Sequence, residues 1–250
     1  MARIALDDAA WASPWRRRRV GEKLLWSLGL VATALAVPSV AGVWLVGLVA
    51  VVVLVGPARI APRRLVAVMA LPMAFILVGA LSVVFSVGRS PVDAWWSWGL
   101  LSVGPESWAM AGAVLAHAIA GTLGVMVLAL TTPMSDLLTW LEQHRVPAPL
   151  VEIASLTYRL LFILLGTAAA ILDAQRRRLG RVTIRSAGDA AGTLLVRAWD
   201  RAVRLDAGLA ARGMEDSLAT TAPARARSWP MIVGALGTVG GLWAAGWWLA

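Results

Sequence analysis

The stretch LDAGLAARGMEDS sets Arg212 between Ala211 and Gly213, late in the longest polar segment of the chain. A guanidinium flanked by two of the smallest residues stands unobstructed, and the missing bulk lets another backbone come close. Its planar fork bonds a carboxylate or several carbonyls at once, which suits docking more than catalysis. A second cluster, Arg176, Arg177 and Arg178, precedes Leu179 and Gly180. The same residues also suit a solvated helix end, favoured by the helix dipole and by anionic headgroups.

Other chemistries are thinly represented. His117 lies in an apolar run, where an ionisable residue is suspect by default, yet a neutral imidazole satisfied by a neighbour is the simpler reading. His144 precedes Arg145 in a polar turn and reads as solvated. With two histidines far apart and no cysteine, there is no transition-metal cage and no disulfide. The only lysine, Lys23, sits in GEKLLW rather than in a glycine-rich phosphate loop, so ATP hydrolysis by that route is excluded. No G-x-S-x-G or H-E-x-x-H pattern occurs. No catalytic, metal or cofactor-binding residue is therefore assigned, no cofactor is expected, and energy must come from a partner.

The elements that would hold these arginines are membrane helices and the polar segment between the last two of them. The chain has 250 residues, 59% of them hydrophobic and 15% charged, with a mean hydropathy of +0.74. Globular domains carry about 25% charged residues, so an all-α polytopic membrane protein is expected. Residues 24–56 carry no charge, and Pro38-Ser39 divides them into two runs, each short for a bilayer that needs about 20 residues per helix. The expectation is a tight helical hairpin, its first helix extended through Val20 to Lys23 by snorkelling. Further apolar runs cover 65–88, 107–130 and 229–249, which makes five spans. These spans hold no Asp or Glu, which argues against a proton-coupled pump. In the last run Trp229 and Trp247-Trp248 are spaced to mark two interfaces.

Arginine placement sets the orientation. Arg16 to Arg19 with Lys23, and Arg59, Arg63 and Arg64 in the 57–64 loop, belong in the cytoplasm. The tryptophan-rich loop from Gly88 to Ser107 has one cation and reads as external. Residues 131–228 hold thirteen arginines and nine acidic residues and read as cytoplasmic. The organisation expected is 1–23 cytoplasmic, 24–130 four transmembrane helices, 131–228 a cytoplasmic domain of long helices, and 229–250 a last transmembrane helix. A cleaved signal peptide is disfavoured, because a second apolar run begins at once and removing the first would invert the 57–64 arginines.

Within 131–228, Pro133 opens a helix that ends before Pro147 and Pro149. A second helix, about 150–179, begins apolar and ends in DAQRRRLG; a sixth span there is opposed by Glu152 and Arg159, and would place Arg176 to Arg178 outside. A third runs from about Asp189 to Arg212, with Gly213 as its C-cap. From LTTPMSDLLTWLEQHRVPAPLVEIASLTYRLLFILL through AQRRRLG to LVRAWDRAVRLDAGLAARGM, about a third of the chain, the sequence resembles the transmembrane T component of energy-coupling factor (ECF) transporters, of the CbiQ type associated with cobalt and nickel uptake.

That resemblance implies a non-catalytic subunit with two cytoplasmic coupling helices, each ending in an Ala-Arg-Gly-like motif that enters a groove of one ATPase. Ala211, Arg212 and Gly213 match the motif literally. Arg178 and Gly180 match with Leu179 interposed, and Arg176 and Arg177 compete with Arg178 for the role. Tyr158 and Arg159, in LTYR, match too and would anchor the coupling region, or simply pack. The partners implied are two CbiO-like ATPase subunits, a substrate-binding CbiM-like S component and a small CbiN-like subunit in the inner (plasma) membrane, with no nucleic acid. The competing reading is a membrane scaffold or an integral-membrane enzyme whose arginines bind headgroups.

Overall fold

Pro38 and Ser39 interrupt the first apolar stretch as their chemistry requires, one lacking a backbone N–H and the other supplying a helix cap. In the computed structural model, which describes residues 5–87, 96–98, 101–179, 183–213 and 228–248, helix α2 (Val20–Ala36) ends just before them and α3 (Val40–Val55) begins just after. Ser39 Oγ accepts from the Gly42 N–H at 3.2 Å and donates to the Gly246 carbonyl at 3.1 Å, which fixes the hairpin tip against the last helix. At ~1.5 Å per residue the two helices are ~25 Å long, less than a ~30 Å hydrocarbon core.

The chain divides into two compact units. One comprises residues 5–133 and 224–250: α1 (Ala5–Ala12), a 3-10 turn (Pro14–Arg17), α2, α3, α4 (Pro62–Val84), α5 (Pro105–Ala129) and α9 (Trp229–Trp248). Helix α5 is its centre and packs against α2, α3 and α4, while α9 packs against α2 and α3. Small residues make the close approaches. A Cβ on Gly124 of α5 would lie 2.9 Å from Val31 Cγ2 of α2, and one on Gly246 of α9 would lie 2.6 Å from Val37 Cγ1. Lipid is as apolar as leucine, so such backbone approach, rather than burial from water, binds membrane helices. Leu71, Phe75 and Val78 of α4 are exposed and suit a lipid-facing side. Three short strands, β1 (Ser86–Val87), β2 (Trp96–Trp98) and β3 (Leu101–Val103), form an antiparallel sheet in the order β1-β3-β2 between α4 and α5. Nothing in the sequence foreshadows their pairing, since runs of two or three residues show no period.

The expected start of α2 at Val20 is met, but Lys23 does not snorkel. It is fully buried, and its Nζ donates to the Thr131 carbonyl at 2.9 Å, just past the end of α5. A helix C-terminus within reach is a better partner for an ammonium than the distant interface.

The second unit comprises α6 (Met134–Gln143), α7 (Ala148–Leu179) and α8 (Ile184–Ala210), with α7 packed against both others. Pro149 lies in the first turn of α7, where its missing N–H costs nothing. Among the described residues, four helices are long and apolar enough to cross a membrane: α4, α5, α9 and α7 over Ala148–Arg177. Helix α3 is a shorter apolar helix. The protein is thus a polytopic, all-α membrane protein, with α7 satisfying a criterion that its flanking arginines had weighed against.

Candidate functional site

The candidate arginines occupy the ends of α7 and α8. Helix α8 begins with a capping box: Thr183 Oγ1 accepts from the Ser186 N–H at 3.2 Å, and Ser186 Oγ accepts from the Thr183 N–H at 2.8 Å. The helix therefore starts at Ile184 rather than near Asp189, because serine replaces the usual Glu or Gln of that box and makes it hard to see.

Its other end has the geometry the sequence required. Ala211 remains right-handed, the Arg212 N–H donates to Leu209 at 3.0 Å and the Gly213 N–H to Ala210 at 3.0 Å. Gly213 has φ +65°, a left-handed conformation that glycine adopts without Cβ strain. Ala211, Arg212 and Gly213 are all exposed, and no side-chain hydrogen bond or ion pair engages Arg212 among the described residues. A cation is thus held at the negative end of a helix, its five donors open to a partner.

The end of α7 is less sharply defined. Arg176 and Arg177 are exposed, and Arg176 Nη1 lies 3.9 Å from Asp173 Oδ1, one turn back. A pair this exposed holds neither group firmly. Arg178 is helical in backbone, while Gly180 lies outside the described residues. Arg178 and Arg212 are not brought together: α8, 27 residues long and ~40 Å from end to end, stands between them. One shared pocket does not fit that spacing.

Tyr158 is half-buried, with its ring edge-on to Phe162 at 5.0 Å, and Arg159 beside it is exposed. Both belong to the shaft of α7 and not to its tip. His117 places Nδ1 2.8 Å from the Ala113 carbonyl of its own helix, and His144 pairs with the Trp140 carbonyl at 2.8 Å while stacking on that indole at 4.0 Å. No group of three or more His, Asp or Glu able to hold a metal occurs among the described residues. Sequence reasoning passed over Glu22 and read its neighbour Lys23 as snorkelling, whereas both are buried in α2. The signal available was an ion-bearing pair at the head of an otherwise uncharged run.

Comparison with known proteins bears on this arrangement as a whole. Residues 12–221 match the family model CbiQ, described as cobalt transport protein. The chain is 39% identical over 243 residues to the cobalt transport protein CbiQ of Rhodobacter capsulatus, covering 96% of each. It is 31% identical to the CbiQ of Salmonella typhimurium over 77% of this chain and 88% of that one. It is also 28% identical, over 78% of its length, to 34% of a putative fused cobalt transport protein CbiMQ of Methanocorpusculum labreanum.

Proposed function

The chain belongs to the CbiQ family of cobalt transport proteins, and from that membership we propose that it is the non-catalytic transmembrane T component of an ECF-type ABC importer. It docks two CbiO-like ATPase subunits, one on Arg212 and one on the arginines ending α7, of which Arg178 is the principal. It passes their ATP-driven motion to a CbiM-like S component that binds cobalt or nickel, with a CbiN-like subunit beside it. The relative named as a CbiMQ fusion supports the pairing with a CbiM-like partner. The complex lies in the inner (plasma) membrane, with the N-terminus and residues 131–228 in the cytoplasm.

One observation carries this reading: Arg212 is exposed at a helix end whose Gly213 is left-handed, so the guanidinium is unshielded there. The ~40 Å length of α8 separates the two arginine ends, so each ATPase has its own contact, one at the end of α7 and one at the end of α8.

The test is retention of the ATPases. Truncating a buried, hydrogen-bonded charge costs about 2–5 kcal/mol, so Arg212→Ala weakens docking by about 30-fold to several thousand-fold. The protein still inserts, because the site is a solvent-exposed helix end. Arg212→Lys does not rescue, since a point charge lacks the fork. Arg178→Ala weakens the complex as well, and the double variant releases both ATPases. Replacing Arg225 and Arg227, which lie outside either motif, leaves assembly intact. Equal loss from that pair would mean that general electrostatics holds the complex, as on a headgroup-binding scaffold.

A further inference from the structure

Helix α4 carries charge and exposed apolar surface on one face. Leu65, Met69, Ala80 and Val84 are buried, and the helix packs against α5. Leu71 and Phe75 are instead 81% exposed each. Both lie within about 20° of Arg64 around the helix, since seven and eleven residues are close to two and three whole turns. At ~1.5 Å per residue they stand ~10 and ~16 Å along the axis from it, a depth that matches one leaflet of a ~30 Å hydrocarbon core. An apolar stripe of that length with a cation at its head has the dimensions and polarity to seat a phospholipid.

That cation is one of three. Arg59, Arg63 and Arg64 are exposed, and no side-chain hydrogen bond or ion pair engages them among the described residues. The sequence holds no acidic residue between Glu22 and Asp93 to offset them. Arg59 is held outward by its surroundings. Ala58 and Ile60 on either side of it are buried, the Ile60 N–H donates to the Leu54 carbonyl at 2.9 Å, and Ser13 Oγ donates to the Ala58 carbonyl at 3.0 Å. Its own φ is 52°, a left-handed conformation that crowds the Cβ. Arg63 and Arg64 occupy the first turn of α4, where the helix dipole opposes a cation and favours an anion. The positive-inside rule accounts for cations at this end of the helix, but not for their place at the head of its exposed face.

We propose that Arg59, Arg63 and Arg64 bind the phosphate of one anionic phospholipid, whose acyl chain lies along Leu71 and Phe75. Nothing in this depends on the ATPase-docking reading. A phosphatidylglycerol headgroup brings a negative charge and accepting oxygens to guanidinia that have no acceptor of their own. A zwitterionic lipid carries the same phosphate, but its ammonium is repelled by the three cations. Inorganic phosphate would satisfy the charge and leave the apolar stripe uncovered, so the ligand is assigned as a lipid.

The test uses the full chain purified in neutral detergent, with phosphatidylglycerol and phosphatidylcholine compared by native mass spectrometry. The wild type is expected to retain one phosphatidylglycerol in preference to phosphatidylcholine. Each single Arg→Gln change at 59, 63 or 64 is expected to lower phosphatidylglycerol affinity about fivefold, and the triple variant to bring it to the level of phosphatidylcholine. Leu71→Ala combined with Phe75→Ala is expected to weaken both lipids alike, which headgroup attraction alone would not do. Replacing Arg197, Arg201 and Arg204 with Gln removes as much charge from the other unit and is expected to change neither. Equal retention of the two lipids by the wild type overturns the site, as does a preference that survives the triple variant or falls equally in the charge control. Undiminished retention by the Leu71, Phe75 variant, or displacement of the lipid by millimolar inorganic phosphate, overturns it too. Where the triple variant does not accumulate, photoactivatable phosphatidylglycerol in membranes carrying the wild-type chain decides. Crosslinks concentrated on residues 59–78 support the site; crosslinks spread over the unit, or missing there because a protein covers α4, overturn it.

Discussion

Gly213 shows how much of the coupling reading depends on one backbone angle. A Cβ added there would meet nothing within 4 Å, so a substitution is opposed only by its φ of +65°. For a β-branched residue that conformation costs about 1–2 kcal/mol or more, equivalent to about 5- to 30-fold in affinity if docking requires this cap. Gly213→Val is therefore expected to weaken ATPase retention in a pull-down while the membrane unit melts normally. Gly213→Asn, which tolerates the left-handed region, is expected to bind near the wild-type level. The histidines give the opposite case. His117 and His144 each bond within their own helical turn, to Ala113 and Trp140, and among the described residues neither belongs to a group of three or more His, Asp or Glu able to hold a metal. The isolated chain is expected to show no tight Co²⁺ or Ni²⁺ binding by calorimetry, and His117→Leu to leave uptake at the wild-type rate. Micromolar binding lost on replacing either histidine would reverse that assignment.

At the scale of elements, packing in the membrane unit is decided where helices touch backbone to backbone. A methyl on Gly246 would meet Val37 at 2.6, 2.7 and 3.2 Å, on Cγ1, Cγ2 and Cβ. Valine cannot swing clear of all three contacts, since its branch point is itself one of them. Gly246→Ala is thus expected to destabilise by about 1–3 kcal/mol, the usual penalty of overpacking. Gly237→Ala serves as the internal control: it lies on the same helix, with nothing within 4 Å of its added methyl. It should melt at or slightly above the wild-type temperature in detergent, because alanine is the better helix former. Equal melting of the two variants would mean that α9 is held by something other than this contact.

For the whole molecule the open physical quantity is sidedness, and the absence of cysteine makes it directly measurable. Single cysteines replacing Arg64 and Arg201 are expected to react with an impermeant maleimide only in inverted vesicles, and one replacing Ser90 only in right-side-out cells. This expectation comes from the positive-inside distribution of arginine. Thr167, midway along the apolar part of α7, tests the helix that length and composition alone would place in a membrane. The docking reading expects Thr167→Cys to react from the cytoplasmic side when the ATPases are stripped. Complete protection from either side, together with external labelling near Arg177, would make α7 a span and move the α7 arginines out of reach of an ATPase.

Sequence alone was sufficient wherever the determining interaction is local or compositional. Hydropathy without charge marked the apolar runs, Pro38-Ser39 marked the hairpin, and a glycine after Arg212 marked a left-handed cap, because each depends on residues within a few positions of one another. The family resemblance was legible for the same reason, as motifs in order along the chain. Tertiary structure alone decided the fate of Lys23 and Glu22. Their partners, Thr131 and Ser228, are 108 and 206 residues away, and no periodicity in α2 encodes them. It likewise decided that the two arginine ends lie a helix length apart, because the true start of α8 depends on a Thr183–Ser186 box that only the folded backbone closes. Local rules govern where a helix stops; what a buried charge bonds to depends on which distant backbone group the packed helices bring within reach.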